Sequence, residues 1–357
     1  MTASLAPIEA ILADPMARAA GASRAIGYVG PGIPDDLLSA PGMTALHLPW
    51  QPDRPTPLAD GWLESSFPIW ARSMVEDWAQ GCFDGLEAVV FSRGDDAAQR
   101  LYYYVSELQR CGRLGGPRAL IFDLAAIRRA SSEAHTIAAV RRLANILELS
   151  EDDLREGILI ANRRRRSLAA IDAERTGDGV LHEKIARASL FAPLVDQDYR
   201  PPQGEGDFQG RAILAGTPPP DHRLHRLIGA SGWAVVGEAH ERSLDRLGPE
   251  IDAAADPVAA VGRQIHAHAP GSRAFCDRAG QLAELAGARR ADAVILWLAE
   301  EDEALVWEAP RARDRLAAAH IPCLFLARRD WRCRDDTNER IAGFLATIEP
   351  AAAGAAA

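Results

Sequence analysis

The chain lacks the features that would place it in a membrane, on nucleic acid or outside the cell. No uninterrupted apolar run among its 357 residues approaches the roughly 18 residues of a membrane-spanning helix. It contains one lysine, Lys184, and its net charge of −10 argues against nucleic-acid binding, which requires a basic face. Its five cysteines are odd in number and widely spaced, which is typical of reduced thiols rather than of a disulfide framework.

The N-terminus also lacks a targeting signal. Residues 1–21 carry acidic residues and no basic segment ahead of an apolar one, so they do not resemble a signal peptide. We therefore expect a cytoplasmic protein without a membrane span. The content of 48% hydrophobic and 25% charged residues is ordinary for a globular chain, and the length suffices for two domains with separate cores.

Common catalytic and cofactor motifs are missing as well. The sequence contains no phosphate-binding loop, no dinucleotide fingerprint, no G-x-S-x-G elbow and no H-E-x-x-H pattern. His222 and His225 lie three residues apart on a predicted helix, but a metal site needs further ligands and none is evident nearby. We therefore predict no metal site in this chain.

What the chain does contain is a regular alternation of apolar segments and helical segments. The predicted strands span residues 25–30, 44–50, 86–92, 117–123, 211–217, 233–240, 291–299 and 323–329. Strands that alternate with helices favour parallel sheets covered by helices. The fold class is therefore predicted to be α/β, with two parallel-sheet, flavodoxin-like, doubly wound domains that face each other across a cleft and a helical middle segment.

The predicted domain boundaries follow from composition. A stretch rich in glycine, proline and acidic residues at 195–210 is typical of a linker. The prediction is an N-terminal helical segment at 1–24, a first α/β domain at 25–150, a helical segment and linker at 151–210, a second α/β domain at 211–348 and a disordered tail at 349–357.

Candidate ligand residues follow from the rule that open parallel sheets bind ligands beyond the carboxyl ends of their strands. The strand-end segments are 29–34, 92–96, 123–125, 215–223, 238–243 and 299–303. Within 92–96, Arg93, Asp95 and Asp96 have two interpretations. The aspartates can cap the following helix, or the segment can be a cleft loop whose Arg93 meets a phosphate or a thioester oxygen.

Two charged runs also leave alternatives open. The acidic run Glu300, Glu301, Asp302 and Glu303 is either a solvated loop or a cluster that raises the pKa of one carboxyl and creates a general acid. The arginine run 163–166 within a predicted helix is either a solvated face or a binding surface for the phosphates of coenzyme A.

Several segments together resemble the 2-hydroxyacyl-CoA dehydratase and benzoyl-CoA reductase family. The resemblance is carried by FPIWARSMVEDWAQG, LEAVVFSRGDDAAQRLYYYVSEL, GPRALIFDL, ILIANRRRRSL and ADAVILWLAEEDEALVWEAPRARDRLAAAHIPCLFLARRD. It covers most of residues 25–348. It implies a subunit that acts on acyl-CoA thioesters with a related subunit, as a lyase or an oxidoreductase, and that receives electrons from a separate ATP-dependent activator.

The resemblance further implies that each subunit holds a four-iron–four-sulfur cluster through three cysteines, and this sequence departs from that pattern. Phe67, Gly94 and Glu300 or Glu301 stand near the expected positions. Cluster iron is held by thiolate sulfur, which these residues do not supply. We therefore expect no cofactor in this chain, and a four-iron–four-sulfur cluster in a homologous partner that keeps its cysteines.

Three functional hypotheses remain open from the sequence. The candidate catalytic residues, whose roles the sequence leaves unknown, are Arg93, Asp95, Asp96 and Glu301. The first hypothesis is a non-cluster subunit of a dehydratase- or reductase-type complex. The second is a non-catalytic protein of the same fold that binds CoA thioesters or acts as a scaffold or regulator. The third is an independent enzyme that uses the acidic loop.

Overall fold

The structure is a computed structural model, and it describes residues 5–193, except 176 and 178, and 207–350, except 269, 270 and 272–274. The elements of the first half are α1 (Ala6–Ala13), α2 (Ala17–Ala20), β1 (Arg24–Val29), α3 (Asp35–Leu38), β2 (Met43–His47), α4 (Pro57–Asp60), α5 (Ile69–Ala79), β3 (Ala88–Ser92), α6 (Asp96–Arg110), β4 (Arg118–Phe122), α7 (Ala130–Ile146), α8 (Glu151–Ala173) and α9 (Gly179–Phe191).

The second half repeats the alternation of strands and helices. Its elements are β5 (Gly210–Gly216), α10 (Arg223–Ala230), β6 (Trp233–Ala239), α11 (Pro257–His268), α12 (Arg278–Ala288), β7 (Ala293–Ala299), α13 (Glu303–Val306), α14 (Ala309–Ala318), β8 (Cys323–Arg329) and α15 (Thr337–Ala346). All eight predicted strands are present, which confirms the predicted fold class. Within the described ranges, no helix is both long and apolar enough to cross a membrane.

The two sheets have the same topology. Each is a four-stranded, all-parallel sheet, with the order β2-β1-β3-β4 in one and β6-β5-β7-β8 in the other. This is the flavodoxin-type order, in which the chain winds in one direction on one side of the first strand and in the opposite direction on the other side. The switch points therefore lie between β1 and β3 and between β5 and β7.

Apolar residues of the central strands form the cores on both faces of each sheet. Strands β3 and β7 are buried along their whole length, as continuous apolar runs of parallel sheets require. The second sheet buries two complete indoles, Trp233 and Trp297.

Helix α11 joins the two halves, because it follows β6 in the chain but packs against α7 beside the first sheet. Val261 and Ile265 lie in one core cluster with Ile26 and Val90 of the first sheet. The approach is close at Gly262, where a Cβ atom would lie 2.7 Å from the Cα of Ile137. Residues of the second predicted domain thus complete the core of the first.

The predicted segment boundaries stay predictions. Most of the predicted linker at 195–210 and of the predicted tail at 349–357 lies outside the described residues. The stretch 248–290 between β6 and β7 contains α11 and α12.

Candidate functional site

A cleft of about 1130 Å³ lies at the carboxyl ends of both sheets. Gly30 follows β1 and Gly216 ends β5, so the cleft is lined at the switch point of each sheet. Both glycines have positive φ angles, +85° and +107°, which other residues rarely adopt. The position is the one expected for a ligand site in an open parallel sheet.

Short polar contacts fix the strand ends around this cleft. The Thr217 hydroxyl donates to the Asp302 carboxylate at 2.6 Å and accepts from the backbone N–H of Ala299 at 3.0 Å, which ties β5 to the end of β7. In the first sheet, the Ser92 hydroxyl donates to the Pro31 carbonyl and accepts from the Gly94 N–H at 2.9 Å. Side-chain hydrogen bonds therefore hold the strand ends on both rims of the cleft.

The three predicted residues after β3 are divided between two surfaces. Asp95 accepts from the N–H of Ala98 at 2.8 Å and caps α6, and both Asp95 and Asp96 line the cleft. Arg93 pairs with Asp123, which also contacts His135 at 3.1 Å, and it lines a separate groove of about 610 Å³. The structure therefore brings the aspartates to the cleft and places Arg93 outside its lining.

The acidic loop after β7 lines the cleft but is mostly engaged in structure. Glu301 accepts from the indole N–H of Trp331 at 2.7 Å, and its burial raises its pKa. Asp302 caps α13, and burial raises its pKa against the opposing hydrogen bond from Thr217. Glu300 and Glu303 are exposed, so they form a solvated rim.

The residues at the positions expected for cluster ligands do not fit an iron–sulfur cluster. The buried Phe67 ring packs against the Tyr104 ring, with 5.0 Å between the two ring centroids. The guanidinium carbon of Arg100 lies 4.3 Å from the centroid of the Phe67 ring. At Gly94 an added Cβ would lie 3.0 Å from Ser92 Oγ and 3.2 Å from the Pro31 carbonyl oxygen. The position of Phe67 is occupied by a buried aromatic ring, and the position of Gly94 has too little space for a thiol. The Glu301 carboxylate already accepts a hydrogen bond from Trp331.

The cysteines are not grouped elsewhere. Cys82 and Cys111 are exposed, and Cys333 is buried in the core of the second sheet rather than beside the cleft. Cys276 precedes α12 and lines the cleft. Across the described ranges, no three His, Cys, Asp or Glu side chains are grouped as a metal site.

The arginine run of α8 was expected to be solvated or to bind phosphate, and the expectation of a solvated face is wrong for its central residues. Arg164 donates to Asp35 at 2.6 Å, and Arg165 donates to both carboxylate oxygens of Asp36 at 2.7 and 2.9 Å. Arg164 and Arg165 are buried. These arginines therefore fasten α8 to α3, beside the first sheet.

Sequence reasoning missed a group of side chains at the centre of the cleft. His47 ends β2, and its Nδ1 lies 2.8 Å from the Leu48 carbonyl oxygen, so we assign the proton to Nδ1 and leave Nε2 as an acceptor. Burial and the nearby Arg242 lower the pKa of His47 to about 3, so the ring is neutral at pH 7. Trp50 lies beneath the Arg242 guanidinium.

Glu241 and Arg242 follow β6 and line the cleft at its junction with a second cavity of about 80 Å³. Burial and the facing carboxylate of Asp95 raise the pKa of Glu241 to about 8. Both residues belong to the strand-end segment 238–243 that the strand rule selects. The rule indicates the segment, but no residue pattern within it singles out this pair.

His222 and His225 do not form a metal pair. His225 Nε2 lies 2.7 Å from Glu238 Oε1, whereas His222 Nε2 accepts from Arg226 at 2.5 Å. Desolvation lowers the pKa of His222. The two histidines therefore serve different contacts.

Comparison with known proteins agrees with the geometry. The model of the family described as 2-hydroxyglutaryl-CoA dehydratase, D-component, matches residues 32–348. This confirms the family resemblance seen in the sequence. No curated protein matches the chain.

Proposed function

The chain belongs to the 2-hydroxyglutaryl-CoA dehydratase D-component family, and we propose that it is a subunit that binds an acyl-CoA thioester in its cleft but holds no iron–sulfur cluster. Membership supports a dehydratase-type component that acts on CoA thioesters together with a partner subunit. We further propose that the complex is either a 2-hydroxyacyl-CoA dehydratase or a reductase of the benzoyl-CoA type.

The observation that carries the proposal is the cleft itself. Its volume of about 1130 Å³ is at the upper end of ordinary small-molecule pockets, which suits a long ligand such as coenzyme A. Four of the arginines that line it, Arg100, Arg128, Arg242 and Arg246, belong to both halves of the chain. Guanidinium groups on both walls suit a ligand with phosphates at one end and a thioester carbonyl at the other.

The lack of cluster ligands supports the second part of the proposal. Phe67, Gly94 and Glu301 offer no thiolate, and iron–sulfur clusters are held by cysteine sulfur. Reductive chemistry would then rely on a homologous subunit that keeps its cysteines and on an ATP-dependent activator. A cytoplasmic location, consistent with five free thiols, is part of the same proposal.

A non-catalytic CoA-thioester-binding protein of the same fold is the second candidate. It is favoured by Phe67, which is fully buried in a core cluster of the first sheet. The position expected for a cluster ligand has therefore acquired a structural role as well as losing its cysteine. The two candidates differ in whether activity of a complex requires this chain.

The test has two parts. Acyl-CoA binding by calorimetry should be present in the wild type, strongly weakened in Arg242→Gln and unchanged in Arg141→Gln, which removes an exposed arginine on α7. Anaerobic purification with a cysteine-bearing homologue should then place iron and sulfide on the partner alone. A full complement of iron and sulfide on the isolated chain, or no acyl-CoA binding, would contradict the proposal.

A further inference from the structure

The segment after β6 is held in one shape by its own hydrogen bonds. His240 Nδ1 accepts from the backbone N–H of Arg242 at 3.2 Å, and the Ser243 hydroxyl donates to the His240 carbonyl at 2.8 Å. A loop with such internal bonds presents its remaining side chains in a fixed geometry. Those remaining side chains are Glu241 and Arg242.

A buried carboxylate anchors this loop from below. Glu238, whose side chain is 1% exposed, accepts from Arg175 at 2.7 Å, from His225 at 2.7 Å and from His240 Nε2 at 3.2 Å. The arginine and the hydrogen bonds hold the pKa of Glu238 well below its usual range, against the effect of burial. The anchor is an ionised, fully bonded group, and it needs no ligand.

Glu241 and Arg242 differ from this anchor because their side chains are left unpaired. Neither side chain forms a hydrogen bond or an ion pair with any residue in the part of the chain that the structure describes. The guanidinium carbon of Arg242 lies 5.4 Å from the centroid of the Trp50 ring, an arrangement that restricts it without using its N–H donors. Both side chains line the cleft, so a polar ligand bound there can form charge-assisted hydrogen bonds with them.

Charges from several elements face Glu241. Asp95 at the start of α6 and Asp302 after β7 disfavour its ionised form, whereas Arg242 and Arg278 at the start of α12 favour it. Burial and Asp95 prevail, and the pKa rises from 4.5 to about 8. Near neutral pH the residue is therefore mainly protonated, and its ionised fraction is a stronger base than an ordinary carboxylate.

We infer that Glu241 is the base for the carbon next to a thioester carbonyl, that Arg242 stabilises the charge which develops on the carbonyl oxygen, and that the chain exchanges the hydrogen on that carbon with water. The inference rests on the proposed binding of acyl-CoA in the cleft. It gives the chain a redox-neutral activity of its own, separate from any chemistry of a partner's cluster.

The step is balanced without a cofactor. The Glu241 carboxylate takes the proton, and the electron pair of the C–H bond becomes a double bond between that carbon and the carbonyl carbon. The carbonyl π pair moves to oxygen, where the N–H groups of Arg242 stabilise the negative charge. Glu241 exchanges its proton with water and returns one to carbon, which restores the thioester.

The experiment incubates the full chain with butyryl-CoA in deuterated buffer between about pH 6 and pH 10 and measures deuterium at C2 by mass spectrometry. The exchange rate should rise with pH and level off above about 8, as the pKa of Glu241 requires. Glu241→Gln should lower it by about 100-fold or more. Arg242→Gln should lower it by a comparable factor. The matched control Glu156→Gln, an exposed carboxyl on α8, should exchange like the wild type.

Binding of butyryl-CoA is measured by calorimetry on the same samples, so the two proposals can fail separately. Binding without exchange above the buffer rate overturns the inference and leaves the proposed function standing. Absence of binding overturns both. A pH-independent exchange rate in the wild type, or an undiminished rate in folded Glu241→Gln, overturns the role of Glu241.

Discussion

The guanidinium of Arg165 donates to both oxygens of Asp36, at 2.7 and 2.9 Å, in a place where each side chain is nearly inaccessible. Arg165 also donates to Asn162 at 3.0 Å and to the Leu247 carbonyl at 3.1 Å. This one side chain therefore links α8 to α3 at the edge of the first sheet and to the loop after β6 that carries Glu241.

Removal of the acid from this pair should destabilise the protein strongly. Asp36→Asn keeps the shape of the side chain but leaves the Arg165 charge buried without a counterion, which costs about 3–5 kcal/mol. The free energy of unfolding, measured in urea, should fall by that amount.

The control for this measurement is an exposed ion pair of the same helix. Arg166 pairs with Glu250 at 2.5 Å, with about half of each side chain accessible, 52% and 48%. Glu250→Gln should therefore change the free energy of unfolding by less than about 1 kcal/mol. Equal effects of the two substitutions would mean that the Arg165–Asp36 ion pair does not stabilise the fold more than an exposed pair does.

The Arg165–Asp36 ion pair also shows which contacts could not be predicted from the sequence. The strands could be predicted, because each is an apolar run bounded by glycine, proline or charged residues, and strand–helix alternation leads to parallel sheets. The arginine run looked solvated, because its partners Asp35 and Asp36 lie 129 residues away in the chain. Periodicity within one helix carries no information on such a distant counterion.

The candidate site was predictable only as a set of strand ends. The rule for open parallel sheets selected the segments that contain Asp95, Glu241 and Glu301, and all three line the cleft. It could not separate Arg93, which lies two residues before the cleft-lining Asp95 and pairs with Asp123 on another groove. His47 was missed because its role depends on the proximity of β2 to the loop after β6, which only the folded chain defines.

Gly94 should tolerate no side chain, although its backbone conformation is ordinary. A Cβ atom there would lie 3.0 Å from Ser92 Oγ and 3.3 Å from Leu124 Cδ2. Gly94→Ala should therefore lower the free energy of unfolding by about 1–3 kcal/mol through overpacking. Gly85→Ala, where no atom lies within 4 Å of the new Cβ, should change it by less than about 1 kcal/mol. A neutral Gly94→Ala would show that a cysteine could be accommodated at this position after all.

Glu241 should make stability depend on pH in a defined direction. Its pKa is about 8 in the folded protein against 4.5 as the ordinary value, so between these values the unfolded chain releases a proton that the folded protein keeps. The contribution of Glu241 to the free energy of unfolding should therefore fall, by at most about 1.4 kcal/mol per pH unit, as the pH rises from about 4.5 to about 8, with no further loss above that. His47, whose pKa is lowered from 6.5 to about 3, acts in the opposite direction below pH 6.5, so the effect of Glu241 is read from a variant and not from the wild type alone.

Glu241→Gln removes this titrating carboxyl. The free energy of unfolding in urea is therefore measured for the wild type and the variant at several pH values, and the difference between them gives the contribution of Glu241. The stability of the variant relative to wild type should increase from pH 5 to pH 8 and then stay level. Glu156→Gln should show a difference that does not vary with pH. A constant difference for Glu241→Gln would mean that its carboxyl titrates normally.

Cys276 provides a test of where the acyl-CoA binds. It lines the cleft, whereas Cys111 is exposed at the end of α6 and does not line it. Burial raises the pKa of Cys323 to about 11 and that of Cys333 to about 12, so these two thiols should react slowly with iodoacetamide in every state.

Saturation with butyryl-CoA should therefore slow alkylation of Cys276 and leave that of Cys111 unchanged, as read by mass spectrometry of the labelled peptides. The reason is steric, because a ligand that reaches from Arg242 toward α12 covers the cleft wall on which Cys276 lies. Free coenzyme A without an acyl group separates protection by the nucleotide from protection by the acyl chain. Equal rates at Cys276 with and without ligand, in a sample that binds it by calorimetry, would place the ligand elsewhere on the molecule.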